Sequence, residues 1–130
     1  MKIRSADPAN QEHPIAVVEE VADNIYSVKF ILQSLGYTVS SIRADHEFLS
    51  ALREFNPALI IVDMLIPGRG GFDVIRTLRK SDFSSTPVVA ITADAMEGEE
   101  KEARECGADE ILSKPYSVPE LQQVLGKHLR

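Results

Sequence analysis

The sequence predicts an α/β fold in which five parallel strands alternate with five helices, giving a doubly wound sheet covered on both faces. Three observations carry this reading. The apolar runs Ile15-Ala16-Val17-Val18, Ala58-Leu59-Ile60-Ile61-Val62, Val88-Val89-Ala90-Ile91 and Ile111-Leu112 are too short for helices and too uniformly apolar for half-exposed strands, so they read as strands buried on both sides. Between them lie segments with apolar residues at helical spacing. Each run also stops abruptly at a polar group: Glu19-Glu20, Asp63, Thr92 and Ser113-Lys114.

Residues 1–14 carry Pro8 and Pro14 among Ser, Asn, Gln and Glu, a composition too polar to bury a core of its own. They read as a flexible leader or linker, and residues 15–130 as the domain. After the first strand, Ile25, Val28, Leu32 and Leu35 space a helix over 22–35, which Gly36 stops. Tyr37 to Ile42 alternates and is β-branched, as an edge strand would be. Phe48, Leu52 and Phe55 give the stripe of a helix starting near Asp45 and closed by Asn56-Pro57. Past Asp63, the segment 64–71 holds Pro67, Gly68, Gly70 and Gly71, expected as turn residues. Phe72, Ile75 and Leu78 line the third helix, and Ser84-Ser85-Thr86-Pro87 leads into the fourth strand. Ala95 to Cys106 is a polar helix with few apolar anchors, hence loosely held, and Gly107 caps it. Val118, Leu121, Leu125 and Leu129 form one face of the last helix, with Pro119 in its first turn.

The 130 residues, 44% hydrophobic and 26% charged, suffice for one domain with one core. A formal net charge of -6 and the lack of a basic run argue against direct nucleic-acid binding. The single cysteine, Cys106, permits no internal disulfide and is expected as a small core residue. No stretch approaches the roughly 18 to 20 apolar residues that span a bilayer, and 1–14 lacks a signal-peptide core, so a cytoplasmic protein without membrane contact is expected. His13, His46 and His128 are scattered and expected at the surface.

The strand ends converge on one edge of such a sheet, which is where ligands bind in open α/β folds. With the flavodoxin-like strand order 2-1-3-4-5, the first and third strands meet at the switch point and bring Glu19 and Glu20 beside Asp63. Each of these residues alone would pass as an ordinary strand end or a solvated turn; together they form a set. Carboxylates packed together repel unless a cation sits among them, and a hard ion such as Mg²⁺, which keeps several waters, suits an open oxygen cluster. No Cys or His lies near enough in sequence for zinc. Thr92 and Lys114 then supply a hydroxyl and an ammonium for an anion beside the metal. The anion expected is a phosphoryl group on Asp63, since aspartate is a competent nucleophile and phosphoryl transfer asks mainly for positioned positive charge and donors.

The motifs VVEE at 17–20, IIVDMLIPGRGG at 60–71, VVAITADA at 88–95 and SKP at 113–115, in order and at family spacing over residues 15 to 129, resemble the receiver domains of two-component response regulators. The resemblance implies Asp63 as phosphoacceptor, Glu19 and Glu20 as the acidic pair at Mg²⁺, and the Leu65 backbone carbonyl as a further metal ligand. It also implies Thr92 as the switch hydroxyl, Lys114 as the phosphoryl contact and a cis bond before Pro115. The phosphodonor implied is a phosphohistidine on a sensor histidine kinase or histidine phosphotransfer protein, and the output a downstream protein target. Such a domain promotes its own phosphorylation and dephosphorylation and is not an enzyme in the usual sense. Its signal face would be the fourth helix, last strand and final helix, with Val21 and Ala22 near the donor's docking surface.

Three positions depart from the family pattern. Glu20 is usually Asp, and its extra methylene shifts a carboxylate by about an ångström, the scale at which positioning costs rate. Ile111 stands where an aromatic often couples to the switch hydroxyl. Leu65 and Asp94 lie where the family tunes dephosphorylation, and leucine cannot orient an attacking water, so a long-lived phosphoryl group is expected. Glu20 and Ile111 favour an alternative reading, a degenerate receiver acting as a constitutive binding module; retention of Asp63, Thr92 and Lys114 opposes it. An aspartate-nucleophile phosphatase generally needs a second Asp two residues past the nucleophile, where Leu65 stands.

Overall fold

Alternation along the strands sets where every site residue points. The computed structural model describes residues 8–20, 28–66, 68, 70–93 and 97–129. Its strands are β1 (Ile15–Glu19), β2 (Val39–Arg43), β3 (Leu59–Asp63), β4 (Val88–Thr92) and β5 (Glu110–Ser113), in one sheet of order β2-β1-β3-β4-β5 with every neighbouring pair parallel. The helices are α1 (Val28–Ser34), α2 (Phe48–Phe55), α3 (Gly70–Arg79), α4 (Glu97–Cys106) and α5 (Val118–His128). This is the predicted architecture and strand order.

Residues Ala16, Val18, Ile60, Val62, Val88 and Ala90 turn to one face, where Leu52 of α2, Val74, Ile75 and Leu78 of α3 and Ala103 and Cys106 of α4 complete a core. Ile15, Val17, Leu59, Ile61, Val89 and Ile91 turn to the other, against Val28 and Leu32 of α1 and Leu121 and Leu125 of α5. A large aliphatic side chain fully buried in this way contributes about 1.5–3 kcal/mol. Side chains alternate along a strand, so Glu19 and Asp63 continue the α1/α5 phase while Thr92 continues the α2–α4 phase. Among the described residues no helix is long and apolar enough to cross a membrane.

Element ends differ from the sequence reading in ways that have local causes. Within the stretch 1–14, Pro8–Glu12 form a 3-10 helix, and Asn10 Nδ2 donates to the Leu35 carbonyl at 2.6 Å, a polar side chain satisfying an acceptor just past the end of α1. Residues 1–7 lie outside the described set, as do 21–27, which include the expected start of the first helix and the Val21-Ala22 surface. β2 is shifted to Val39–Arg43 and only Ile42 of it is buried, as befits an edge strand. α2 starts at Phe48 because Asp45 makes a turn instead: its side chain accepts from Glu47 N at 2.9 Å and its carbonyl from Phe48 N at 3.2 Å.

Gly70 and Gly71 are not turn glycines but open α3, and a Cβ on Gly71 would stand 2.7 Å from Met64 Sδ. Close approach of α3 to the loop after β3, rather than turn chemistry, explains that glycine. In α4 Ala103 and Cys106 are buried among the described residues, so Cys106 is the core cysteine expected. α5 begins with a capping box: Ser117 Oγ accepts from Glu120 N and Glu120 Oε1 accepts from Ser117 N, each at 3.1 Å. That box, not apolar burial, fixes the helix start, and Val118 is 39% exposed instead of joining the buried stripe. His128 is not a bare surface residue either, since its Nε2 lies 3.1 Å from Glu110 Oε2, which Lys127 Nζ also meets at 3.0 Å.

Candidate functional site

Asp63 ends β3 at the centre of the sheet. Past it, Met64 N donates to Ile91 O at 2.8 Å, so the β3–β4 pairing continues beyond the carboxylate and fixes its base. Asp63 Oδ1 accepts the Leu65 amide at 3.0 Å, an Asx turn that sets the carboxylate's orientation. Leu65 itself is 69% exposed beside it.

Glu19 is the last residue of β1 and is 3% exposed, unusual burial for a carboxylate. Ser41, on β2 beside it, donates its hydroxyl to Glu19 Oε2 at 2.5 Å. Burial pushes the Glu19 carboxyl above its ordinary value; the Ser41 hydrogen bond pulls it down, the charge of Asp63 pushes it up again, and Lys29 and Lys114 pull it down, with the net direction upward. These opposing effects place Asp63, Lys29 and Lys114 within electrostatic reach of Glu19. Glu20 follows directly, half-buried.

The other two strands deliver their residues by the same continuation of pairing. Lys114 N donates to the Thr92 carbonyl at 2.8 Å, which registers the lysine against Thr92, and the Lys114–Pro115 bond is cis. Thr92 is 3% exposed and its Oγ1 donates to Glu99 Oε1 of α4 at 2.6 Å. Tyr116, half-buried past the cis proline, has its phenol pushed up by burial and then by the charge of Asp63. Ile111 packs against the α2–α4 core on the same side as Thr92.

Glu19, Asp63 and Lys114 are thus brought together, with Thr92 at the adjoining strand end. Among the described residues no three or more His, Cys, Asp or Glu side chains converge tightly enough to hold a metal by themselves. The arrangement is open, with oxygen donors and a buried carboxylate under repulsion. Asp94 lies outside the described residues. The site also involves Ser41, Lys29, Tyr116 and Glu99, which the sequence reading does not include. Ser41 and Tyr116 carry a signal: one alternates toward the acidic strand from the neighbouring edge, the other is an aromatic two residues past Lys114. Lys29 and Glu99 sit among other charges and carry none.

Residues 15–126 match the family model of the response regulator receiver domain. The chain is 31% identical over 116 residues to the polar-differentiation response regulator DivK of Brucella ovis, covering 88% of this chain and 94% of that one. The solved receiver domain of the sensor histidine kinase PA1611 from Pseudomonas aeruginosa, which holds a magnesium ion in its active-site cleft, is 28% identical and superposes with a TM-score of 0.73 over 89% of this chain and 96% of that one. The fold is also that of the chemotaxis protein CheY4 of Vibrio cholerae, 24% identical with a TM-score of 0.77 over 90% of this chain and 98% of that one. An acidic pocket at the carboxyl edge of a 2-1-3-4-5 sheet, with a threonine and a lysine at the neighbouring strand ends, is therefore a matter of descent: the chain belongs to the response regulator receiver domain family.

Proposed function

We propose that Asp63 accepts a phosphoryl group from a phosphohistidine on a sensor histidine kinase or histidine phosphotransfer protein, and that the resulting aspartyl phosphate switches a protein-binding surface. The observation that carries this reading is Glu19: a carboxyl buried beside Asp63 and pushed upward in pKa is a site short of positive charge. In the step assigned, an Asp63 carboxylate oxygen attacks phosphorus, the O–P bond forms as the donor's N–P bond breaks, and the imidazole leaves with its electron pair. Oδ1 is engaged by the Leu65 amide, so Oδ2 is the attacking atom in this assignment. Lys114 stabilises the charge on the transferred oxygens.

The residues present fit Mg²⁺: every donor is a hard oxygen, and the set is open enough for retained water. Glu19, Glu20, Asp63 and the Leu65 carbonyl would hold it, and when bound it supplies positive charge next to the phosphoryl oxygens. Ser41 keeps the Glu19 carboxylate aimed, so that burial does not swing it out of reach. With a polar, net-negative surface and this chemistry, a cytoplasmic location and protein partners, not nucleic acid, are the consistent setting.

Intact mass after incubation with acetyl phosphate and Mg²⁺ tests the reading. The native chain gains about 80 Da, one phosphoryl group, while Asp63→Asn and the metal-free control gain nothing. A folded native chain with no gain would refute it in favour of a constitutive binding module.

A further inference from the structure

Strand alternation puts Thr92 out of phase with Asp63 and Glu19. Its position in the strand alternation turns it to the α2–α4 side, while Asp63 and Glu19 turn to the α1/α5 side, and its hydroxyl is held there at 2.6 Å by Glu99 Oε1. A hydroxyl has one proton to donate, so it cannot give that proton to Glu99 and to a phosphoryl oxygen at once. The hydrogen bond is part-buried and its acceptor is a carboxylate, which makes it short and strong. Glu99 is the third residue of α4, whose buried residues, Ala103 and Cys106, lie in its second half, so this bond ties the first turn of that helix to the end of β4.

We propose that Glu99 is a positioning residue that latches the Thr92 hydroxyl: its carboxylate keeps the hydroxyl on the α4 side until a phosphoryl group on Asp63 takes the same proton, and the exchange frees the first turn of α4. This rests on the reading that Asp63 is the phosphoacceptor and Thr92 its partner. No bond other than hydrogen bonds changes in the latch; the donor stays Thr92 Oγ1 and the acceptor passes from Glu99 Oε1 to phosphoryl oxygen. Ile111, which pairs with Ala90 two residues before Thr92 and packs on the same core, is aliphatic and offers no polar group to relay the change, whereas the carboxylate of Glu99 is a polar link from Thr92 to α4.

The latch sets a penalty on phosphorylation equal to the bond it breaks. Removing it in Glu99→Ala lowers the beryllofluoride concentration needed for half-occupancy by roughly ten- to a hundredfold, the range for a hydrogen bond to a charged group. Glu99→Gln, whose amide oxygen still accepts but carries no charge, falls between. Hydrogen exchange supplies a second readout: amides in the first turn of α4 exchange faster in unmodified Glu99→Ala than in the native chain, and beryllofluoride accelerates the native chain toward that level. Beryllofluoride titration curves that coincide for native, Gln and Ala chains, with unchanged exchange in α4, overturn the latch. A native chain that takes neither beryllofluoride nor a phosphoryl group overturns the Asp63 reading and, with it, the competitor for Thr92; the two failures are distinguished by whether the native chain responds.

Discussion

Arg79, at the end of α3, is the clearest test of what holds the site's framework. Its Nε donates to Gly107 O at 2.8 Å, its Nη1 to the carbonyls of Phe83, Ser84 and Thr86 at 3.1, 3.2 and 2.7 Å, and its Nη2 pairs with Asp109 Oδ2 at 2.7 Å. One guanidinium thereby gathers the α3–β4 loop and the α4–β5 turn, and Asp109 Oδ2 in turn accepts the Val88 amide at 2.8 Å. The side chain is 19% exposed, so its bonds are partly shielded from water. In Arg79→Ala the three loop carbonyls rehydrate at little cost, whereas the Gly107 and Asp109 arms lose charge-assisted bonds of about 1.5 kcal/mol each, for a total of about 3 kcal/mol. An unfolding entropy of about 2.1 cal/mol/K per residue makes 1 kcal/mol worth about 4 °C in a chain of this length, so Tm falls by about 11 °C. Arg79→Lys keeps a charge near Asp109 but not the planar fork, and falls by about 7 °C. Thermal melts by circular dichroism, with urea titrations to confirm an unchanged slope, provide the assay. A drop smaller than about 3 °C for the alanine variant, which is below 1 kcal/mol, would refute the view that this fork fastens the two loops.

Two further outcomes follow from the site itself. The Glu19 carboxyl titrates above its ordinary value of 4.5 when folded, so the unfolded chain releases that proton first; the stability it contributes is complete below about 4.5 and is lost as pH rises through the folded value. Glu19→Gln therefore melts higher than the metal-free native chain above that window and loses the Mg²⁺-dependent rise in Tm, and parallel Tm–pH curves for the two chains would count against the repulsion described. Leu65→Asn places an amide next to Asp63 that can orient water, so the half-life of the phosphoryl group, followed by intact mass after donor removal, shortens severalfold; an equal or longer half-life would show that exposure of Leu65 is not what protects the bond.

Most of the fold is legible because the strands are buried on both faces, and an uninterrupted apolar run as short as Leu59-Ile60-Ile61-Val62, set off by turn residues, fits little else. The convergence of Glu19, Asp63 and Lys114 is legible for a topological reason: parallel strands deliver all their carboxyl ends to one edge. What escapes are contacts set by side-chain direction. Whether Thr92 looks toward the acidic pocket or toward α4 depends on one step of strand phase, and its acceptor, Glu99, is one of several carboxylates in a helix whose sequence marks none of them out. Gly71 passes for a turn residue for a similar reason, since close approach to Met64 leaves no trace in the local pattern. The Ser117-Val118-Pro119-Glu120 capping box, by contrast, is fully written in sequence and is enough to place Val118 at an exposed helix start.

The five strands send alternate residues into two cores that never meet, one closed by α1 and α5 and the other by α2, α3 and α4. A cavity opened on one side cannot be filled by repacking the other, so each face must be complementary on its own terms. For engineering this is a convenience. The α2–α4 side is open to redesign toward a new binding specificity so long as Thr92 and Glu99 are kept, while Glu19, Ser41, Asp63, Lys114 and the α1/α5 side are left as they are.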